Sequence, residues 1–295
     1  MKKDEINYRV VSTFDQRFYY IEKNGVGKYC DSITHTLGQV RRKPYLDRLR
    51  GERGNFEMDN IIDAALAKGS NEHLAFDTLL RGGVVVFNDN KKPAYTPEEI
   101  DSLKTKHKHW CILRNDFEML EVYRMVLFYK MINPKILASE MTLFDYDRGV
   151  AGTCDSIWMI EGGDYELKIT PDLLADVTGR DAIKQLLSGI AKPDIITLPK
   201  GKVVIDWKTG KGFDADEYSM QISEYIEMAE ADAGMIVWTN NQQKKKGIPG
   251  LSVLVVTKDE SKEYHKDFMD IHRHFVKYYR SEPTVYDIPT IIGLN

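Results

Sequence analysis

A chain of 295 residues with 42% hydrophobic and 11% aromatic side chains holds enough apolar material for one large core or two smaller ones. Its formal charge of −4 argues against a broad polyanion-coating surface and leaves only local basic groups, at Arg41-Arg42-Lys43, Lys104 to His109 and Lys244-Lys245-Lys246. No apolar run approaches membrane-spanning length, and Met1-Lys2-Lys3-Asp4-Glu5 lacks the pattern of a leader, so a cytoplasmic protein with no membrane partner is expected. Cys30, Cys111 and Cys154 are scattered, without the spacing of a zinc knuckle or a disulfide framework.

Tyr8 to Ser12 and Arg17 to Ile21 alternate as a hairpin, rich in strand-favouring aromatic bulk. A helical region follows from about Glu57 to Leu80. Within it Ile62, Leu66, Gly69, His73, Phe76 and Leu80 recur at spacings of three and four, which makes one inward stripe containing the histidine. A histidine there is either a hydrogen-bonded core residue or, with carboxylates nearby, a metal ligand. After a polar, proline-containing connection, Thr96-Pro97-Glu98-Glu99 combines a capping box with proline at the first helical position, and the helix it opens is expected to reach Met131. Strands are expected at Ile136 to Tyr146, Gly152 to Ile160, Val203 to Lys208, Met235 to Thr239 and Leu251 to Thr257. An amphipathic helix covers about Ser261 to Arg280, and Pro283 to Asn295 forms a surface strap. This order predicts an α/β fold, a mixed central β-sheet flanked by helices with helical additions before it.

The most informative stretch is Lys202-Val203-Val204-Ile205-Asp206-Trp207-Lys208-Thr209-Gly210. On a strand, Val204, Asp206 and Lys208 share one face and Val203, Ile205 and Trp207 the other. A carboxylate and an ammonium at the end of an apolar strand cost solvation energy unless a salt bridge, or a metal and a phosphate or water, uses them. Asp214 and Glu217 then form a capping box for a helix that places Gln221 and Tyr225 one turn apart on one face.

Strand, Asp-x-Lys-Thr-Gly, turn and a helix with Gln-x-x-x-Tyr resemble the RecB-like branch of the PD-(D/E)XK nucleases. Upstream, Ser139-Glu140, Ala151-Gly152-Thr153-Cys154-Asp155 and Gly69-Ser70-Asn71-Glu72-His73 match the family's earlier motifs in its order. The resemblance implies a restriction-endonuclease-like core in a single nuclease domain over 1–295. An N-terminal hairpin and extension (1–56) and a helical region (57–131) would precede a catalytic core (132–260), and a C-terminal helix and tail (261–295) would follow. It further implies metal-dependent hydrolysis of DNA. Asp155 and Asp206 would hold Mg²⁺ or Mn²⁺, with His73, Glu140 and the main-chain carbonyl of Trp207 completing one or two sites. Lys208 would orient or deprotonate water, its pKa lowered by the cation. Gln221 and Tyr225 would hold the lysine, the water or the phosphate, although packing alone also accounts for Tyr225. Glu140 reads equally as a solvated strand-end carboxylate. Three cysteines cannot supply the four that some members use for an iron-sulfur cluster, so no cluster is expected.

One departure from the family is the 51 positions between Asp155 and Asp206, which imply an insertion over about 164–200. Its Pro193-Asp194 spells the family's literal motif, so Asp194 competes with Asp155. Asp155 is preferred because it follows Ser-Glu at the expected distance. Because RecB-like enzymes with a motif like that of His73 commonly act from DNA ends, the resemblance implies an exonuclease in recombination, repair or phage DNA processing; Ser12-Thr13-Phe14-Asp15 and Ser32-Ile33-Thr34-His35 resemble small stand-alone members found in phages. A structure-specific endonuclease and a catalytically silent DNA-binding accessory protein are the alternatives. No helicase motif is present, so any unwinding falls to a helicase or a single-strand-binding or recombination partner.

Overall fold

The structure, a computed structural model, describes residues 6–12, 16–41, 43–88, 90, 93–170, 192–244 and 246–281. The chain begins with β1 (Ile6–Ser12), β2 (Arg17–Lys23), β3 (Val26–Ser32), α1 (Ile33–Val40), α2 (Pro44–Arg53) and α3 (Asn55–Leu80). It continues through β4 (Val84–Phe87), α4 (Pro97–Lys106), β5 (Trp110–Leu113), α5 (Asp116–Ile132), β6 (Lys135–Asp145), β7 (Val150–Ile160) and β8 (Gly163–Leu167). The last elements are β9 (Asp194–Leu198), β10 (Gly201–Lys208), α6 (Ala215–Ala229), β11 (Ala233–Trp238), β12 (Ser252–Thr257) and α7 (Lys258–Tyr278). The fold is α/β, with a mixed central sheet flanked by helices, as expected. Among the described residues no helix is long and apolar enough to cross a membrane.

The chain packs as two compact units, one of Met1–Arg42, Phe144–Gly152 and Met269–Asn295, the other of Lys43–Leu143 and Thr153–Phe268. In the first unit β1, β2 and β3 form an antiparallel meander, and the end of β3 pairs in parallel with Val150 and Ala151. The meander has one strand more than the expected hairpin. Asn24 and Gly25, both at positive φ (52° and 81°), make the tight two-residue turn that returns the chain into β3. Ser32 then caps α1 through its side chain.

In the second unit β7 pairs with β6 and runs antiparallel to β10, β10 runs parallel to β11 with α6 as the connection, and β11 pairs antiparallel with β12. The alternation of β10 is as anticipated: Val203, Ile205 and Trp207 enter a core with Trp158, Phe128, Phe76, Met125, Met235 and Val237. The opposite face receives α6, where Ile222 and Ile226 pack against Gly234.

The helix expected from Thr96 to Met131 is instead two helices separated by a strand. The capping box of Thr96 and Glu99 forms, but α4 ends at Lys106 because Trp110-Cys111-Ile112-Leu113 pairs in parallel with β4. Asn115 then caps α5 by accepting from the Glu118 N–H. The stretch after Leu80, expected as a connection, contains β4 for the same reason. The inward stripe of α3 differs from the expectation: Leu66 is 65% exposed, and the buried residues of the helix are Met58 near its start and Glu72, Ala75, Phe76 and Thr78 in its second half. At the ends of the stretch expected as an insertion lies the β8–β9 ladder, from Gly163 opposite Leu198 to Leu167 opposite Asp194. Expectations for Thr13 to Asp15, Arg42, positions 171–191 of the expected insertion, Lys245 and Pro283 to Asn295 lie outside the described residues.

Candidate metal centre

The site forms where β7 and β10 part. Their ladder runs to Ser156 opposite Ile205. Beyond it the Trp207 N–H donates to Oδ2 of Asp155 (2.6 Å) instead of to a strand carbonyl. The other carboxylate oxygen of Asp155 meets Nδ1 of His73 at 3.0 Å. α3 can come this close because Gly69 faces the loop after β10; a Cβ there would lie 3.3 Å from Oγ1 of Thr209. Glu140, on β6, sits at φ 50°, a left-handed conformation rare for a residue with a Cβ. His73, Glu140 and Asp155 each offer a ligand atom, all within 4.8 Å of one another. These three line a small cleft with Phe76, Asp77, Leu80, Ser139 and Trp207. An imidazole and two carboxylates converging in this way could hold a metal ion. In an extended strand the N–H and C=O of one residue point to the same side, so the Trp207 carbonyl lies on the Asp155 side of β10.

Asp206, Lys208, Gln221 and Tyr225 are joined by hydrogen bonds. Lys208 Nζ lies 2.7 Å from Oδ2 of Asp206 and donates to Oε1 of Gln221 at 2.9 Å. The Gln221 amide donates to Oδ1 of Asp206 (2.8 Å) and to the Tyr225 hydroxyl (3.3 Å). Both amide hydrogens and the carbonyl of Gln221 are thereby engaged, which fixes its orientation. Tyr225 is only 1% exposed, so it packs as well as bonds. Tyr218 places its ring 4.5 Å beneath the Lys208 ammonium. It carries no motif; its one sequence signal is its place three residues before Gln221 on the same helix.

The two aspartates are driven apart electrostatically. Burial disfavours both charges, but His73, the Trp207 N–H and Lys208 hold Asp155 below the ordinary range. Asp206 is lifted by burial and by Asp155, against the opposing pull of Lys208. Burial alone would lower His73, yet Asp155 and Asp206 raise it to about 9. Burial and the charges of Asp155 and Asp77, against those of His73 and Arg81, push Glu140 up to about 7. Lys208 would be lowered by burial, but Asp206 keeps it above its usual value. The lysine therefore stands as an ammonium beside Asp206.

Behind the site, Lys68 bridges two buried carboxylates, Glu72 at 2.7 Å and Glu121 at 2.6 Å. Glu121 accepts from the Thr239 hydroxyl (3.0 Å), and the Thr239 N–H donates to the Lys208 carbonyl (2.9 Å). The next two carbonyls, of Thr209 and Gly210, accept from the Asn240 amide (3.1 Å) and the Trp238 indole (2.7 Å). Three successive residues of β11 and its exit thus hold three successive carbonyls leaving β10. At the cleft, Asp77 accepts from Ser139 and pairs with Arg81; it lies one turn after His73 on α3. Asp194 has a different neighbourhood, where it pairs with Lys244.

No protein-family model and no curated protein matches this chain. A solved structure described as "Crystal structure of SSO0001" aligns with a TM-score of 0.27 at 9% identity, covering 82% of this chain and 75% of that one. A likeness so slight carries no argument about family.

Proposed function

We propose that this chain is a nuclease that hydrolyses DNA phosphodiester bonds with Mg²⁺ or Mn²⁺. The observation that carries this reading is the contiguous constellation of His73, Glu140 and Asp155 on one side of β10's end and Asp206, Lys208 and Gln221 on the other. Hydrolysis of a phosphodiester needs positive charge near the phosphate and a held nucleophile. The oxygen-rich donor set, with one imidazole, suits these hard ions. His73, Glu140, Asp155 and Asp206 would hold the cation, with the Trp207 carbonyl as a further donor. Bound there, the cation supplies positive charge against the scissile phosphate and the departing alkoxide.

The protein's own groups do the rest. Lys208 enters as an ammonium and presents its hydrogens to a phosphate oxygen or to the attacking water. Gln221 fixes where that ammonium points, and Tyr218 supports it from the other side. The Trp207 N–H and His73 hold Asp155 ionised and in one rotamer, which keeps it competent as a ligand. The restriction-endonuclease-like topology is part of the same proposal, supported by the βαβ unit of β10, α6 and β11.

The test is incubation of the protein with end-labelled linear DNA and covalently closed circles in Mg²⁺, Mn²⁺ or EDTA. Asp206→Ala and Lys208→Ala should each reduce the metal-dependent cleavage by about 10²-fold or more. Loss of linear DNA alone defines an exonuclease, and cutting of closed circles an endonuclease. Cleavage that persists in both variants, or binding without cleavage in the wild type, would sink the catalytic reading.

A further inference from the structure

A second feature adjoins Lys208. Trp238 is the register partner of Lys208 in the parallel β10–β11 pair, so the two side chains emerge on the same face. Phe213, from the loop after β10, stacks on Trp238 with ring centroids 5.0 Å apart and an interplanar angle of 23°. The Tyr218 ring meets Phe213 edge-on at 5.2 Å and also carries the Lys208 ammonium. All three rings are only partly buried. The Trp238 indole is anchored by its bond to the Gly210 carbonyl, which fixes the plane of the platform.

The loop that frames these rings is Thr209-Gly210-Lys211-Gly212-Phe213. Neither glycine has a positive φ. A Cβ would meet nothing within 4 Å at Gly212 and only the Gly212 carbonyl, at 3.8 Å, at Gly210. Neither packing nor backbone conformation therefore requires glycine at these places. The bare backbone leaves room for a ligand to approach closely, and Lys211 stands exposed between the glycines. Partly exposed rings, an open backbone and the exposed Lys211 ammonium beside Lys208 form a complementary surface for one chemistry: an unpaired base with its phosphate.

We infer that Phe213, Tyr218 and Trp238 form a stacking platform for an unpaired nucleobase next to the scissile phosphate, with Lys211 against the neighbouring phosphate. The inference rests on the nuclease reading and adds the substrate class: a single strand, or a duplex end whose terminal pairs have opened. A base held in a duplex keeps its faces against its neighbours and has none to offer the rings.

The experiment changes the substrate first, so it does not depend on a variant folding. A single abasic nucleotide is moved through the first positions of an end-labelled single strand, and binding is measured with Ca²⁺ for the wild type and for Phe213→Leu. The wild type should bind about 10-fold more weakly when the abasic nucleotide occupies one particular position. Phe213→Leu should bind the intact strand more weakly and lose little further at that position. Equal wild-type affinity at every abasic position would overturn the inference, as would the same positional loss in Phe213→Leu. Cleavage of the intact strand in Mg²⁺ is followed in parallel. Cleavage with a flat abasic scan removes the platform alone, and absence of both binding and cleavage removes the nuclease reading with it.

Discussion

Glu72 is fully buried, one residue before a proposed metal ligand, and it shares Lys68 with Glu121. Burial and the charge of Glu121 outweigh Lys68 and raise its carboxyl from 4.5 to about 7. The folded protein thus holds this proton more tightly than the unfolded chain. The stability it contributes is complete below pH 4.5 and disappears as the pH rises through 7. His73, raised from 6.5 to about 9, adds a second loss in the same direction over that later window. Thermal melts in EDTA should therefore fall from about pH 4.5 upward, while below it the lowered carboxyls of Asp155 and Asp145 act in the opposite direction. Glu72→Gln should remove about 3 kcal/mol of the fall between pH 4.5 and 7, leaving the share that Glu140, raised in the same way to about 7, contributes. A melting temperature that rose over that range would contradict the assignment. Asp206 with Lys208, two strand positions apart, and Gln221 with Tyr225, four along a helix, were legible in the sequence as two pairs because each spacing is local, and only the resemblance joined them. Glu72, Glu121, Tyr218 and Asp77 carried no comparable signal. Their significance comes from partners as far away as the 118 positions between Glu121 and Thr239.

At the scale of elements, the βαβ unit of β10, α6 and β11 sets the geometry of the site. α6 lies close enough to deliver Gln221 to Asp206 because Gly234 on β11 has no side chain. A Cβ there would come within 2.3 Å of Cγ1 of Ile222 and 3.2 Å of Cδ1 of Ile226. Gly234→Ala should destabilise the protein by about 1–3 kcal/mol through overpacking. Because the displaced helix carries Gln221, the same variant should also lose the proposed cleavage activity at temperatures where it remains folded. Denaturation midpoints and rates measured side by side would check both; unchanged values would mean that α6 does not need so close an approach. The elements read correctly from sequence, such as the β10 strand and the capped α4 and α6 helix starts, have strong local patterns. The strand β5 did not, since four residues from Trp110 to Leu113 lie between two helix-forming stretches and gain strand character only by pairing with β4. The β8–β9 ladder was hidden for the same reason: its innermost partners, Leu167 and Asp194, lie far apart in sequence.

For the molecule as a whole, the sequence order of elements specified an α/β class but not the division into two units. The smaller unit draws on three stretches of chain far apart in sequence, so no local pattern announces it. Asp31, at the end of β3 and 3% exposed, accepts from His272 (2.9 Å) and Arg280 (2.7 Å), which lie 241 and 249 positions later. Gln16 adds a bond from its amide to the Tyr279 carbonyl at 2.9 Å. These contacts close very long loops, whose ordering entropy must be offset by a few buried, charge-assisted bonds. Asp31→Ala leaves the buried imidazole and the guanidinium without their common carboxylate and should cost about 3–5 kcal/mol. Asp31→Asn, which retains an acceptor of the same shape, should cost less. All the proposed metal ligands belong to the larger unit, so a rise in melting temperature on adding Mg²⁺ should persist in Asp31→Asn and vanish in a folded Asp155→Ala. Melting curves of the three proteins with and without metal separate the two roles: loss of the metal response in Asp31→Asn would place Asp31 in the service of the site, whereas its retention leaves Asp31 as the clasp of the smaller unit.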